Sequence, residues 1–315
     1  MILNGPNGPP APEAAPTAPT PLSVPAGGLR WQLHRGGRAD ASAPRVLLLH
    51  GTGSSGRSWQ ACWPGLAAHV AWLAPDLPGH GGTSPFADHR ATLPRMADAV
   101  AALLVSLAWA PQWVVGHSAG AAVMVQMALS GQLPAARGLI ALNGALQPLP
   151  GLLGLVAPAL AGVAARSAWL PGWVTQHASQ PRALQHLIAS TGSQLDATGV
   201  AHYRELLAQP AHVRGVLDML AHWRLDDLPQ RLSALPVPLC LAAGMADRTV
   251  APVASINLAR RLRGAQFVPL HGLGHLAHEE APEQVNELLL ACCAGWLDQP
   301  GPAPRPPPKA PATAS

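Results

Sequence analysis

Trp113-Val114-Val115-Gly116-His117-Ser118-Ala119-Gly120, continued by small residues toward Leu133, joins an apolar strand signal to a helix through a turn flanked by glycines. The G-x-S-x-G pattern places a serine on a strand-to-helix turn so sharp that bulky neighbours do not fit beside it, and it lifts the hydroxyl above the sheet. Ser118 is therefore the candidate nucleophile. Taken alone, the same residues also fit a serine that only caps the following helix, so the flanking chain decides.

Outward from this turn, strands alternate with helices. Leu29 to His34 alternates as a half-exposed edge hairpin does, and Arg45 to His50 is an unbroken apolar run ending in His50-Gly51-Thr52-Gly53. Strand signals follow at 70–77, 112–115, 138–143, 237–243 and 266–270. Amphipathic helices are expected over 93–107 and 282–297, the latter with Val285, Leu288, Leu289, Cys292, Cys293 and Trp296 on one stripe. Unbroken apolar strands suit a sheet covered on both faces, and their alternation with helices implies parallel strands with right-handed crossovers. The expected fold class is α/β, a mostly parallel central sheet with flanking helices.

Between 147 and 228 the rhythm stops, and Pro181 to Ala189, Val200 to Ala208 and Pro210 to Trp223 read as helices. The expected organisation is a disordered Pro/Ala-rich tail over 1–25, a first core segment over 26–146 and an inserted helical cap over 147–228. A second core segment over 229–298 and a disordered Pro-rich tail over 299–315 complete it. Within the cap, 149–165 is a run without charge, but at 17 residues, interrupted by Pro150 and Pro158, it is too short to span a bilayer. Burial is favoured there, with peripheral membrane contact as the alternative.

Charged residues make up only 11% of the chain against 49% hydrophobic, and the formal net charge is +4. No Lys/Arg cluster appears, which disfavours nucleic-acid binding. The four cysteines lack C-x-x-C spacing and read as reduced core thiols. The N-terminal stretch has no basic start and no continuous apolar core, so a cytoplasmic location is expected.

A serine hydroxyl needs a base, and the base needs a carboxylate to hold its tautomer. Asp247 follows one strand signal in Gly244-Met245-Ala246-Asp247-Arg248, and His275 follows the next in Gly272-Leu273-Gly274-His275. Both stand just past the carboxyl ends of parallel strands, where such sheets bind ligands. His271, His278 and His117 are rival bases and Asp76 a rival acid, although Asp76 better suits the turn Asp76-Leu77-Pro78-Gly79-His80-Gly81. The N–H groups of Thr52 and Ala119 are the candidate oxyanion donors. His117, Asn143, Trp169, Trp173, Tyr203 and Trp223 are candidate pocket residues. No metal-ligand spacing, G-x-G-x-x-G or P-loop is present, so no metal or cofactor is expected.

The order Ser118, Asp247, His275 is that of the α/β-hydrolase superfamily. Together with His50-Gly51, the turn at 76–81, the glycine-flanked Ser118 and Gly274-His275, it makes the chain resemble that superfamily. Leu142-Asn143-Gly144-Ala145-Leu146, Thr191-Gly192-Ser193-Gln194-Leu195-Asp196, His212-Val213-Arg214-Gly215-Val216 and 272–280 also resemble the magnesium-chelatase accessory proteins of bacteriochlorophyll biosynthesis. That narrower resemblance implies a role beside magnesium chelatase subunits and a porphyrin intermediate as ligand. A serine esterase or thioesterase for a bulky apolar acyl group, and a non-enzymatic porphyrin carrier, are the alternatives.

Overall fold

Eight strands make one sheet: β1 (Leu22–Ala26), β2 (Leu29–Gly37), β3 (Arg45–Leu49), β4 (Ala71–Pro75), β5 (Trp113–His117), β6 (Gly138–Leu142), β7 (Leu239–Gly244) and β8 (Ala265–Leu270), in the spatial order β1-β2-β4-β3-β5-β6-β7-β8. The structure is a computed structural model that describes residues 21–148 and 169–295 and the single positions 19, 164 and 167. β1 and β2 form an antiparallel hairpin, β2 pairs antiparallel with β4, and every later pairing is parallel.

The unbroken apolar runs have the expected cause. Leu47, Leu49 and Val114 enter the core on one face of the sheet, and Val46, Leu48, Trp113 and Val115 enter the core on the other. Helices α1 (Trp63–Ala67), α2 (Leu93–Ser106) and α3 (Ala119–Leu129) follow β3, β4 and β5 in turn. α3 is buried from Ala119 through Ala128, which its small side chains permit where it packs between β5 and α2.

Between β6 and β7 come α4 (Leu170–Ala178), α5 (Pro181–Ser190), α6 (Ala197–Leu207), α7 (Pro210–His222) and the single turn α8 (Leu228–Arg231). No strand occurs there among the described residues. α6 begins three residues before the expected start because Asp196 caps it, its carboxylate accepting the Gly199 N–H at 2.7 Å. α9 (Pro252–Arg261), α10 (Ala277–Glu280) and α11 (Pro282–Cys293) complete the chain order.

One boundary is corrected. Leu22 to Pro25, placed in the disordered tail by composition, belong to β1, where the register from Leu22 opposite Leu33 to Ala26 opposite Leu29 supplies backbone bonds that composition does not report. Pro25 is tolerated because β1 is the sheet edge. Residues 1–18, 20 and 296–315, with Trp296 and the rest of both expected tails, lie outside the described residues, as does the 149–165 run apart from Ala164. Cys62, Cys240, Cys292 and Cys293 are free thiols. Among the described residues no helix is long and apolar enough to cross a membrane.

Asp76 shapes the turn after β4, as expected. It is 1% exposed, and its two carboxylate oxygens accept the Gly56 and Gly82 N–H groups, both at 2.8 Å. Burial pushes its carboxyl up to about 6 against these two bonds. An amide in its place would aim one N–H at a backbone donor, so Asp76→Asn is expected to cost about 1–3 kcal/mol, read from the midpoint of guanidinium unfolding at pH 7.

Candidate active site

Ser118 has φ 51° and ψ −118°, backbone that L side chains adopt only under constraint. The constraint is packing. A Cβ on Gly116 would stand 2.5 Å from the Ala121 backbone, and one on Gly120 would stand 2.5 Å from the Leu49 carbonyl oxygen. Ser118 N–H donates to the Leu142 carbonyl at 3.1 Å, while the Ser118 carbonyl accepts the Ala121 and Ala145 N–H groups. β6 and the start of α3 thus clamp the turn from both sides.

The three candidate catalytic side chains meet. His275 Nε2 is 3.1 Å from Ser118 Oγ, and His275 Nδ1 is 2.8 Å from Asp247 Oδ2. With the ring neutral, Nδ1–H donates to the carboxylate and Nε2 accepts the serine proton. Burial works against ionisation of Asp247. Its hydrogen bond with His275, the charge on that ring, and bonds from Asn143 and the Val250 N–H outweigh it and hold the carboxyl below its ordinary value. The second oxygen, Oδ1, accepts the Thr249 and Val250 N–H groups at 2.7 and 2.9 Å.

The rivals stand elsewhere. His117 is buried under the base, its Nε2–H donating to the His275 carbonyl at 2.8 Å. His278 is fully buried 3.4 Å from Ser58 Oγ, and His271 is exposed at the end of β8.

Loop 50–53 lies against the elbow, since a Cβ on Gly51 would stand 2.9 Å from Ser118 Cβ. Thr52 and Ala119 both face the cavity above Ser118. Ala119 is the first residue of α3, where an N–H has no acceptor inside the helix. Two histidines hold the loop. His50 Nε2 accepts the Leu77 N–H while Nδ1–H donates to the Gly51 carbonyl, both at 2.8 Å. His212 Nδ1 accepts the Gly81 N–H at 3.0 Å while Nε2–H donates to the Gly53 carbonyl at 3.3 Å.

The segment between α5 and α6 also reaches the site. The Thr191 carbonyl accepts the N–H of Arg248 at 3.1 Å and of His275 at 3.3 Å, and Ser193 Oγ accepts the Leu276 N–H at 2.8 Å. Thr191, Ser193 and His212 were not among the residues singled out for the site. The available signal was the glycines beside them: Gly192 packs on the Ala246 carbonyl and Gly215 on the Gly79 carbonyl, closer than any side chain allows.

A cavity of about 750 Å³ opens above Ser118, walled mainly by apolar side chains such as Leu184, Ile188, Leu207, Val213, Leu217 and Trp223. Of the six candidate pocket residues, His117, Tyr203 and Trp223 line it. Asn143 does not. It is 1% exposed with φ 49°, and its Nδ2 donates to Asp247 Oδ2 at 2.7 Å and to the Gly274 carbonyl at 3.2 Å, so it braces the acid. Trp169 and Trp173 are 69% and 50% exposed and also lie off the cavity wall. With His177, which stacks on Trp173 at 4.2 Å, they follow one another at four-residue spacing, Trp169 at the N-cap of α4 and the other two within it, while Val174 faces the cavity.

With these features in place, comparison with known proteins shows that the chain belongs to the alpha/beta hydrolase family, matched over residues 46–288. It is 36% identical over 272 residues to the magnesium-chelatase 30 kDa subunit of Rhodobacter capsulatus, covering 86% of this chain and 92% of that one. It is 32% identical over 297 residues to the dihydrolipoyllysine-residue acetyltransferase component of the acetoin cleaving system of Pseudomonas putida, covering 86% and 68% of the two chains. A putative lipase from Acinetobacter baumannii shares the fold with a TM-score of 0.70 at 19% identity, over 89% of this chain and 92% of that one.

Burial dominates the histidines around the site. It lowers His80 and His202 to about 4 and His117 and His212 to about 3, and it drives His50 and His278 well below the usual value. The unfolded chain takes up protons below about pH 6.5 that these six rings refuse. Their contribution is complete above that pH and is lost as pH falls through the folded values. Asp76 and Glu279, raised to about 6 and about 8, act in the opposite sense. Six rings against two carboxyls leave a net loss of stability as pH falls below about 6.5. Near-UV circular dichroism should therefore collapse cooperatively between pH 6.5 and 4, whereas an unchanged denaturant midpoint at pH 4 would contradict this electrostatic account.

Proposed function

We propose that this chain is a cytoplasmic serine hydrolase that serves magnesium chelation in bacteriochlorophyll biosynthesis, acting beside the magnesium chelatase subunits on a bulky apolar substrate of the tetrapyrrole pathway. The observation that carries the chemical part is the unbroken chain from Ser118 Oγ through His275 to Asp247, opening into the large apolar cavity. The biological part is supported by the likeness to the Rhodobacter capsulatus subunit over most of both chains.

In this reading Ser118 Oγ attacks an acyl carbon while its proton passes to His275 Nε2. Asp247 holds the ring in the accepting tautomer and stabilises the imidazolium that forms. The N–H groups of Thr52 and Ala119 bind the oxyanion, each worth roughly 3 kcal/mol in the transition state. The imidazolium then gives its proton to the leaving group, and water repeats the sequence to free the enzyme. The described residues of the insertion between β6 and β7 supply most of the wall that selects the substrate. At about 750 Å³ the cavity lies in the upper part of the usual range for ligand pockets, roughly 300–1,000 Å³. A general esterase or thioesterase for a bulky acyl group uses the same parts and is the second reading, favoured by the apolar wall alone. A porphyrin carrier without chemistry would have no use for the Asp247 network.

The test is complementation. In a phototroph lacking its own copy, the wild-type gene should restore bacteriochlorophyll and Ser118→Ala should not, at equal protein level. Equal restoration by Ser118→Ala would leave only the carrier reading.

A further inference from the structure

One carboxyl beside the cavity takes no part in the Ser118, His275 and Asp247 chain. Glu279, in α10, keeps only 7% of its side chain exposed, where an ionised carboxylate forfeits most of its hydration. Burial pushes its carboxyl up to about 8; the Tyr203 hydrogen bond opposes this, and the nearby Asp196 and Glu280 charges add to it. His278 Nε2 is 3.8 Å away but is itself held neutral, chiefly by burial, and supplies no counter-charge. Burial thus favours the protonated carboxylic acid at Glu279, which has a proton to donate.

Among the described residues its side chain makes one hydrogen bond, with the Tyr203 hydroxyl 2.7 Å from Oε1. That hydroxyl stands 3.4 Å from Ser54 Oγ, which has no other partner among the described residues. Tyr203 and Ser54 both line the cavity. With the carboxyl protonated, the three groups carry three protons and share two links, so one proton is left over. When the carboxyl donates to Tyr203 and Tyr203 donates to Ser54, the remaining proton is that of the Ser54 hydroxyl, on a wall that is otherwise mostly apolar. Ser54 is also close to the reacting centre, because its N–H donates to the Gly51 carbonyl at 3.2 Å and Gly51 lies against Ser118.

We propose that Ser54 and Tyr203, backed by Glu279, form a polar subsite for a second, non-reacting carbonyl oxygen of the substrate, a ketone or ester group on an otherwise apolar acyl portion. This deepens the hydrolase reading above and rests on it. It also explains why a carboxyl is buried at a place where the proposed chemistry does not use one.

The test separates binding from turnover. In a Ser118→Ala background, calorimetry compares p-nitrophenyl octanoate with its 3-, 4-, 5- and 6-oxo analogues. At least one oxo ester should bind about fivefold tighter than the octanoate, the effect of one added neutral hydrogen bond. Adding Ser54→Ala should abolish that preference, Tyr203→Phe and Glu279→Leu, which keep the Ser54 proton but no longer orient it, should weaken it, and Glu279→Gln, a neutral isostere that still donates, should keep it. Ser54→Ala removes no packing core and carries the test if Tyr203→Phe fails to fold. Lack of any preference, lack of binding by every ester, or a preference that survives Ser54→Ala overturns the subsite. Turnover of the octanoate by the unmodified protein is scored separately, so failure of the hydrolase reading is seen as absent turnover and failure of the subsite as absent preference.

Discussion

Three glycines, Gly192, Gly244 and Gly274, bring backbone against backbone where no side chain fits, and the geometry around His275 depends on that contact. A Cβ on Gly244 would strike the Gly274 carbonyl, and one on Gly274 would strike Gly192. The loop carrying Asp247, the loop carrying His275 and the segment between α5 and α6 are thereby packed into one layer. Thr191 then uses a single carbonyl to bond the N–H groups of both Arg248 and His275. Since backbone atoms cannot move aside as a flexible side chain can, the separation of acid and base is fixed by main-chain packing rather than by the side chains that would react.

The same device recurs at Gly79 and Gly215, where the turn after β4 meets α7, and His212 extends it to the Gly53 carbonyl. The insertion between β6 and β7 therefore braces both the His275 loop and the loop bearing Thr52. It also walls the cavity. A rigid attachment at two points suits a site whose hydrogen-bond donors must be aimed before the substrate arrives. The surrounding histidines fit this role because each neutral ring can donate at one nitrogen and accept at the other, as His50 and His212 both do, without bringing a charge into the interior.

Much of this was legible in the sequence wherever one residue type answers one physical demand. Apolar runs such as Arg45 to Leu49 read as strands because both faces are buried, and Gly116 and Gly120 marked the turn at Ser118 because nothing larger fits there. Glycine context also separated His275 from His117, His271 and His278. What was not legible depends on direction. Trp169 and Trp173 have a composition that suits a pocket, but the rotation of α4 turns them outward and Val174 inward. Asn143 lies at the end of β6, and only the approach of β7 shows that its amide meets Asp247. β1 is not legible in composition because its order comes from pairing with β2 rather than from its own side chains.

The elbow at Ser118 is expected to present an activated hydroxyl. Intact-mass spectrometry after exposure to a fluorophosphonate measures this directly, with peptide mapping to locate the adduct. One adduct per chain on Ser118 is expected, absent in Ser118→Ala and slowed by orders of magnitude in Asp247→Asn, where the histidine is held in the wrong tautomer. Folded protein that stays unlabelled, or that labels equally well without Ser118, would contradict it.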